Sequence, residues 1–292
     1  MKRIFRFLNM KLRCLFVFDK KARRKIQDDY KAARNLERLN AQKWGVAYSV
    51  YDGEELLEAS IRAIRPEVDY VCVVWQRVSW YGVPADAGLL PLLEQLKEQN
   101  LIDEIVEYEV NLKWRPGKNE TRKRNLGLKA ARKAGCTYFM SMDTDEFYRQ
   151  EELIKAKKFI TERNITHSYC AVNAYGIKPT ELLNESGCCI QFFSRLTPFS
   201  KHCNEHRATA LVDPTRKFSH TPWWLGGSRH YFVNVCRMHH YTYIRKNLAR
   251  KLQNSSCEDV RLQGNSLDTC LQEKEILICP DWFRLGEIME KF

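Results

Sequence analysis

Three carboxylates, Asp143, Asp145 and Glu146, lie within four positions of the sequence and directly follow the largely apolar run 138–142. An apolar run of this length predicts a short buried strand. Carboxylates that are held together at the end of a strand repel each other, so their ionised forms are costly unless a cation neutralises them. The usual cation is a divalent metal ion with oxygen ligands, which substrate phosphates often share. The segment therefore predicts a site for a metal ion and phosphate.

A basic segment precedes this acidic run. Residues 119–134 predict a helix, and Arg122 and Arg124 lie near its start. Guanidinium groups and the free backbone N–H groups of a helix N-terminus both bind phosphates. A solvated basic helix face is the alternative interpretation of this segment taken alone, and the neighbouring acidic strand favours phosphate binding.

Alternating strands and helices must position these residues. The patterns predict strands at 46–51, 70–75, 102–108 and 138–142, and helices at 54–64, 89–99 and 119–134. Such alternation predicts an α/β fold with a doubly wound, mainly parallel sheet. Ligands bind beyond the carboxyl ends of the strands in these sheets, and Asp52 and Gln76 lie at two such ends. The later, looser half predicts strands at 169–175, 188–193 and 231–235, a loop-rich stretch, and a basic helix at 243–252.

The run Arg124-Asn125-Leu126-Gly127, with the later Asp143-Thr144-Asp145 at a strand end, resembles the nucleotide-sugar half of GT-A glycosyltransferases of the family-2-like group. The resemblance covers residues 45–150 well and 150–250 loosely. It implies a GT-A, Rossmann-like fold with a loop-rich acceptor-binding half. It also implies metal-dependent transfer of a sugar from a UDP- or GDP-sugar to a glycan or lipid-linked saccharide, as a step of surface polysaccharide biosynthesis.

The resemblance further implies roles for single residues. Asp145 would ligate a Mn²⁺ or Mg²⁺ ion that bridges the diphosphate, and Asp143 would contact the ribose or the metal ion. The nucleotide would be held by Tyr48, Val50, Asp52, Gln76, Arg122, Arg124 and Asn125. Gln76 departs from the family, which often has an aspartate after the second strand, so the choice of base stays open.

A late segment would complete the site. By the same resemblance, His239 or His240 would bind the metal ion or the diphosphate. Arg245, Lys246 or Lys251 would bind phosphates. Paired histidines with a purely structural role are the alternative interpretation.

An inverting transfer also needs a general base that deprotonates the acceptor hydroxyl. Trp223 and Trp224 form either an acceptor wall that stacks on sugar faces or a buried pair. The candidates for the base are Glu205, which is favoured, Asp213, and the Glu258-Asp259 pair.

The net charge of +12 is concentrated near the start of the sequence, where residues 1–44 hold 14 Lys and Arg against 4 Asp and Glu. Nucleic-acid binding by the whole fold is therefore not expected. The first 18 residues mix basic and apolar side chains, with no apolar run long enough to span a bilayer. They predict an amphipathic segment on an anionic membrane surface, or a basic helix docked on its own domain.

The predicted organisation has four parts: a basic helical extension at 1–44, a nucleotide-sugar half at 45–150, an acceptor half at 151–256 and a C-terminal extension at 257–292. Eleven cysteines without a C-x-x-C pair, in a chain without a recognisable signal peptide, predict reduced thiols. We therefore expect a cytoplasmic protein, peripheral on the inner face of the plasma membrane.

Two other functions stay open at this point. A basic adaptor on a degenerate α/β fold would bind a membrane or nucleic acid through residues 1–44 and leave the acidic run inert. A phosphoryl or nucleotidyl transferase would also use paired aspartates. Phosphatases of that kind place the pair after their first strand, and nucleotidyltransferases need a glycine-rich loop that residues 51–54 do not supply.

Overall fold

The computed structural model describes residues 2–175, 182–184, 189–203, 213–219, 221–225, 227–245 and 247–256. The predicted C-terminal extension lies outside these ranges. So do four residues predicted to act in the site, and their roles stay predictions: Glu205, Lys246, Glu258 and Asp259.

The elements alternate along the first half of the chain as the sequence predicts. In order they are α1 (Lys2–Leu15), α2 (Lys20–Asn40), β1 (Trp44–Val50), α3 (Glu54–Ile64), β2 (Tyr70–Trp75), α4 (Leu89–Glu98), β3 (Glu104–Glu107), α5 (Pro116–Lys133), β4 (Tyr138–Met142), β5 (Glu146–Phe147), α6 (Gln150–Glu162), β6 (His167–Tyr175), β7 (Leu182–Asn184), β8 (Cys189–Arg195), β9 (His230–His240) and α7 (Leu248–Gln253). Short 3-10 helices span Arg65–Glu67, Pro214–Arg216 and Trp223–Leu225.

The described strands form one sheet in the order β3-β2-β1-β4-β8-β6-β9-β5, with β7 paired to β6. The strands β3, β2, β1 and β4 run parallel to one another. The strand β8 is antiparallel to both β4 and β6, whereas β9 is parallel to β6. The predicted α/β fold class is confirmed: the first half is a parallel sheet, and the second half continues it as a mixed sheet.

Helices cover both faces of the parallel half. Alternate residues of β1 point to opposite faces, so Val46 and Tyr48 pack in the same cluster as α3 and α4 residues, whereas Ala47 packs with α5. Gly127 of α5 allows this close approach, because a Cβ atom there would collide with the Cβ of Ala47. The carboxyl ends of β1, β2 and β4 consequently lie on the same side of the sheet, and Asp52, Gln76 and Asp143 follow these ends.

The two largest differences between predicted and observed boundaries lie in the second half of the chain. The strand predicted at 231–235 is part of the longer β9, which includes both His239 and His240. The basic helix predicted at 243–252 is the shorter α7, because the Asn247 side chain caps its first turn by accepting from the backbone N–H of Arg250.

The N-terminal segment forms two helices that pack on each other, and α2 also packs on α6. Leu39 of α2 lies against the main core. In contrast, α1 and the following turn expose seven large apolar side chains: Phe5, Phe7, Leu8, Leu12, Leu15, Phe16 and Phe18. Among the described helices none is long and apolar enough to cross a bilayer.

Candidate active site

Two groups of charged residues meet at the carboxyl ends of β1 and β4. The turn from β4 to β5 places Asp143 in one group and Asp145 in the other. We call the first the Asp143 cluster; its members are Glu120, Arg124, Asp143, Glu146, Asp213 and Arg216. We call the second the Asp145 cluster; its members are Asp52, Asp145, His240, Arg245 and Lys251.

The Asp145 carboxylate lies at the centre of its cluster and is fully buried. Its Oδ2 accepts from Arg245 Nη2 at 2.7 Å and from Lys251 Nζ at 3.3 Å. Its Oδ1 has no hydrogen-bond donor in the part of the chain that the structure describes, and His240 Nε2 lies 3.7 Å away from it. The cluster thus holds a buried carboxylate oxygen without a donor, beside an imidazole nitrogen.

Charge keeps Asp145 ionised in spite of its burial. Burial alone would raise the pKa of this carboxyl, but Lys251, Arg245 and His240 hold it well below its ordinary value. The carboxylate in turn raises the pKa of the Arg245 guanidinium, against the opposing effect of burial. The side chains of His240 and Lys251 are 24% and 25% exposed, so a ligand can reach the cluster from solvent.

Gly53 lets Arg245 reach Asp145 across the end of β1. Arg245 Nη1 lies 3.4 Å from Asp52 Oδ1, and Nη2 donates to Thr144 Oγ1 at 3.3 Å. A Cβ atom on Gly53 would collide with both Arg245 Nη1 and Thr144 Oγ1. The backbone at Gly53 is also left-handed, with a φ of 80°, which disfavours other residues.

Substituting Gly53→Ala should displace the Arg245 guanidinium and weaken binding of a phosphate ligand at the Asp145 cluster by about tenfold or more, since a charge-assisted hydrogen bond contributes about 1.5–3 kcal/mol. Gly135→Ala is the matched control, because Gly135 has a φ of 79° but no atom within 4 Å of the place that a Cβ would occupy. Both variants carry the backbone strain of about 1–3 kcal/mol. Nucleotide titrations of Gly53→Ala and Gly135→Ala compare the two Kd values. An equal loss of nucleotide affinity in both variants would show that the position of Arg245 does not affect ligand binding.

The Asp143 cluster is neutralised from within by two buried arginines. Arg124 Nη2 donates to Glu120 Oε1 at 2.7 Å, to Asp213 Oδ2 at 2.8 Å and to Asp143 Oδ2 at 3.2 Å. Arg216 donates to Asp143 at 2.7 Å and to Asp213 at 2.9 Å. It also donates through two nitrogens to the buried carboxylate of Glu146. Both arginine side chains are at most 2% exposed.

The arginines fix the charge states in this cluster. Burial opposes ionisation of Asp143 and Asp213, yet Arg124 and Arg216 hold the pKa of both carboxyls below the ordinary value. Burial dominates at Glu146, whose pKa is raised. Asp143 therefore carries its charge next to solvent, since its side chain is 29% exposed.

A metal ion fits the two clusters differently. Glu120, Asp143 and Asp213 each offer a ligand oxygen within 4.8 Å of the others, which is a geometry that can hold a cation. Arg124 already donates to an oxygen of all three, so a guanidinium supplies the charge that a metal ion would supply. Asp145 instead offers an oxygen to which no described residue donates, and carboxylate oxygen is a ligand that suits Mn²⁺ and Mg²⁺. The imidazole of His240 lies beside this oxygen.

The two histidines of β9 point in opposite directions, since adjacent strand residues face opposite sides of a sheet. His240 lies by Asp145 and shares a hydrogen bond of 2.6 Å with Thr242 Oγ1. His239 is buried, and its Nδ1 shares a hydrogen bond with the hydroxyl of Tyr175 at 2.7 Å. Burial lowers the pKa of His239 to about 3. The structure thus brings His240, and not His239, to the candidate site.

The predicted nucleotide contacts at β1 and β2 are occupied by the protein itself. Tyr48 is fully buried, and its hydroxyl pairs with Ser60 Oγ at 2.9 Å. Lys123 Nζ donates to Val50 O at 2.7 Å and to Gln76 Oε1 at 2.9 Å, while Gln76 Nε2 donates to the backbone carbonyl of Val78. Both ends of the Gln76 amide are therefore already bonded.

Two further residues predicted to contact the nucleotide also bond to or stack on other parts of the protein. The side-chain amide of Asn125 exchanges two hydrogen bonds with the backbone of His202, and so fastens α5 to the segment after β8. Arg122 stacks on the ring of Trp114 at 4.5 Å. These contacts give both residues a packing role in the structure.

Sequence reasoning missed two buried basic residues, Lys123 and Arg216. Lys123 shares one stripe of α5 with Gly127 and Ala131, and this i, i+4, i+8 spacing is the signal that predicts its burial. Burial lowers the pKa of Lys123 to about 7. Arg216 lies in a 3-10 helix capped by Asp213, and its other two carboxylate partners, Asp143 and Glu146, are too distant in sequence to predict.

No protein-family model matches the chain, and no curated protein sequence matches it. Solved structures do match. The crystal structure of S. aureus TarS matches with a TM-score of 0.44 and 13% identity over 79% of this chain and 43% of TarS. A structure of GalNAc-T7 with UDP, GalNAc and Mn²⁺ matches with a TM-score of 0.41 and 11% identity over 86% of this chain and 54% of that protein.

A structure of glucosyl-3-phosphoglycerate synthase from Mycobacterium tuberculosis, with Mn²⁺, UDP and phosphoglyceric acid, matches with a TM-score of 0.34 and 12% identity. It covers 49% of this chain and 47% of the synthase. The chain thus spans about half or less of the length of these three proteins. The fold class of this chain rests on its own strand order, and its chemistry on its own residues.

Proposed function

We propose that the chain is a metal-dependent glycosyltransferase that uses a nucleotide-sugar donor. The observation that carries this proposal is the Asp145 cluster. A fully buried, ionised carboxylate has one oxygen to which none of the described residues donates, and two cationic side chains and an imidazole surround it. This arrangement at the carboxyl ends of parallel strands suits a divalent cation together with a diphosphate.

The residues that would hold Mn²⁺ or Mg²⁺ are Asp145 and His240. When bound, the ion supplies a Lewis acid that neutralises the diphosphate as the sugar–oxygen bond breaks. Arg245 and Lys251 lie at hydrogen-bond distance from Asp145, and in this proposal they donate to the phosphate oxygens. Both positive charges would therefore stabilise the negative charge that develops on the leaving group.

Asp143 is proposed to orient the nucleotide and not to ligate the metal ion. Its two oxygens contact Arg124 and Arg216, which hold the carboxylate in one position. An ionised, fixed and partly exposed carboxylate accepts hydrogen bonds from hydroxyl groups, as the ribose of a nucleotide offers. Asp143 would therefore fix the position of the sugar of the nucleotide beside the diphosphate.

The acceptor side is proposed to include the two tryptophans of the last 3-10 helix. Trp223 and Trp224 are 85% and 57% exposed, and Phe199 packs edge-on against Trp224 at 5.3 Å. Exposed aromatic faces are suited to sugar rings. Asp213 is a poor general base, because Arg124 and Arg216 hold its pKa below the ordinary value in spite of burial. Glu205 and the Glu258-Asp259 pair therefore remain the proposed candidates.

The acceptor is proposed to be a glycan or lipid-linked saccharide at an anionic membrane surface, in a surface polysaccharide pathway on the cytoplasmic side. The support is the exposed apolar surface of α1 together with the basic residues of 1–44. Amphipathic helices of this kind lie in the membrane interface, where apolar side chains insert and basic ones contact anionic lipids.

A thermal-shift screen of UDP-, GDP- and CMP-sugars, each with and without Mn²⁺, tests the proposal. A ligand at about 100 times its Kd adds about 2.7 kcal/mol of stability, so one nucleotide class should raise Tm by several degrees, and only with Mn²⁺. Product analysis then separates the reaction types. Nucleoside diphosphate and free or transferred sugar support glycosyl transfer, whereas nucleoside monophosphate and sugar phosphate would indicate phosphoryl or nucleotidyl chemistry instead.

A further inference from the structure

A second candidate ligand site lies at the amino end of β4, on the opposite side of the sheet from the Asp145 cluster. A cleft of about 410 Å³ opens between α2 and the start of β4. Thr137 and Tyr138 lie at that start, whereas Asp143 follows the end of the strand, about 17 Å further along at 3.3 Å per residue. The cleft is lined by Arg34, Glu37, Arg38, Ala41, Gln42, Thr137, Tyr138, Thr161, Asn164, Arg195 and Leu196.

Three arginines line this cleft. Arg34 and Arg38 lie one turn apart on α2, and Arg195 ends β8. Within the described ranges none of the three forms an ion pair with a carboxylate. Glu37, the carboxylate among the lining residues, pairs with Arg6 of α1 instead. The cleft therefore has three arginines that form no ion pair within the described ranges, and one glutamate that is paired with another arginine.

The protein fixes one of these arginines in place. Arg195 Nη2 donates to the hydroxyl of Tyr138 at 3.2 Å and to the side-chain oxygen of Asn164. A guanidinium has five N–H donors, so this bonding leaves the Nε and Nη1 donors of Arg195 without a described acceptor. The cleft also has a buried hydroxyl without a described partner, that of Thr161.

We propose that this cleft binds a phosphate group between α2 and β8. Planar guanidinium groups form paired hydrogen bonds with phosphate oxygens. Two arginines of α2 and one of β8 together offer more hydrogen-bond donors and more positive charge than a single surface arginine does. The bound phosphate joins Arg34 and Arg38 of α2 to Arg195 of the sheet, and so fastens the N-terminal helices to the α/β core. The phosphate belongs to an anionic phospholipid headgroup or to a free phosphate compound. The inference is independent of the proposed glycosyl transfer.

Titration of the full chain with inorganic pyrophosphate in EDTA tests the free-phosphate source. Binding should weaken at least tenfold in Arg195→Gln and in the double variant Arg34→Gln with Arg38→Gln. The matched control, Arg24→Gln with Lys25→Gln, removes the same charge from exposed positions of the same helix and should bind as the original chain does. The double variants change exposed or half-buried side chains of α2, so they test the cleft even if Arg195→Gln does not fold.

A further variant separates this site from the Asp145 cluster. Arg245 is itself proposed to bind a diphosphate, so Arg245→Gln removes any pyrophosphate binding at the Asp145 cluster. In that background the cleft double variant should still bind pyrophosphate at least tenfold more weakly than its control does. Equal binding by the two in that background would place the anion at the Asp145 cluster and overturn the proposal. Co-sedimentation with phosphatidylglycerol and phosphatidylcholine vesicles tests the lipid source. A tenfold greater loss of phosphatidylglycerol binding for the cleft double variant than for its control supports a headgroup. If the cleft variants match their control in both assays, the proposal is wrong.

Discussion

Replacing Asp145 with asparagine should abolish metal-dependent nucleotide binding and reduce turnover about a thousandfold or more. The amide keeps the size of the side chain but removes the buried negative charge next to which the cation is proposed to bind. Loss of metal-ion stabilisation of the leaving group is worth several kcal/mol, and about 4 kcal/mol corresponds to a thousandfold in rate. The comparison is the release of nucleoside diphosphate by the two proteins at equal Mn²⁺ and donor concentrations.

Glu120→Gln provides the discriminating control for this result. Glu120 belongs to the other acidic group that can hold a cation, and its side chain is 13% exposed. We expect this variant to keep Mn²⁺-dependent nucleotide binding, because Arg124 already neutralises its carboxylate. If Glu120→Gln loses Mn²⁺-dependent nucleotide binding and Asp145→Asn keeps it, the metal ion binds at the Asp143 cluster and not at Asp145.

Substituting Arg216→Met should be the most destabilising single change at the site, by about 3–5 kcal/mol at pH 7. Arg216 is 1% exposed and contacts Asp143, Glu146 and Asp213, so its removal leaves three carboxylates short of a positive charge. Methionine keeps the aliphatic stem and removes the guanidinium. Urea unfolding curves of the two proteins measure the difference in free energy.

Arg77→Met is the matched control for the arginine variant. The pair of Arg77 with Glu107 has good geometry at 2.6 Å, but both side chains are exposed to solvent. Exposed ion pairs contribute little to stability. A loss of stability in Arg216→Met no greater than in Arg77→Met would contradict the role assigned to the buried network.

The destabilisation by Arg216→Met should also depend on pH. In the folded protein the pKa values of Asp143 and Asp213 are depressed, so their stabilising effect is present above about pH 4 and is lost as the pH falls. Arg216→Met lacks the part of this stabilisation that comes from the Arg216 guanidinium. The difference in unfolding free energy between the two proteins should therefore be largest near pH 7 and shrink as the carboxylates take up protons.

The order of the strands and helices in the first half followed from the sequence because each element has its own apolar pattern. The apolar runs at 46–51 and 70–75 predict strands, and the helical spacing of apolar residues at 54–64 predicts a helix between them. The structure has β1, α3 and β2 at these places, in the parallel half of the sheet. The same local logic located Asp143 and Asp145 at a strand end. Local patterns were sufficient to predict these features, because each depends mainly on residues that are close together in the sequence.

The partners of those carboxylates were harder to predict, because they come from distant parts of the chain. Arg245 reaches Asp145 across 100 residues, and Arg216 reaches Asp143 across 73. Asp143 and Asp145 are two residues apart, yet they lie in different clusters, since the turn after β4 separates them. Strand alternation would have separated His239 from His240 had the strand been predicted through residue 240.

Gln76 shows a different difficulty. The sequence identified the position, but its amide bonds to Lys123 and to the backbone of Val78. The site predicted to contact the base is thus linked to a buried lysine that the sequence presented as part of a basic run. Burial of that lysine depends on how closely α5 approaches β1 and β2, which Gly127 permits.

The central claim is that a divalent cation binds at Asp145 together with a nucleoside diphosphate. The most direct measurement is an anomalous difference map, recorded near the manganese absorption edge, from crystals grown with UDP and Mn²⁺. We predict a peak beside the Asp145 carboxylate and the His240 ring, in contact with the diphosphate. A peak between Glu120, Asp143 and Asp213, or bound UDP without a peak at either group, would contradict the claim.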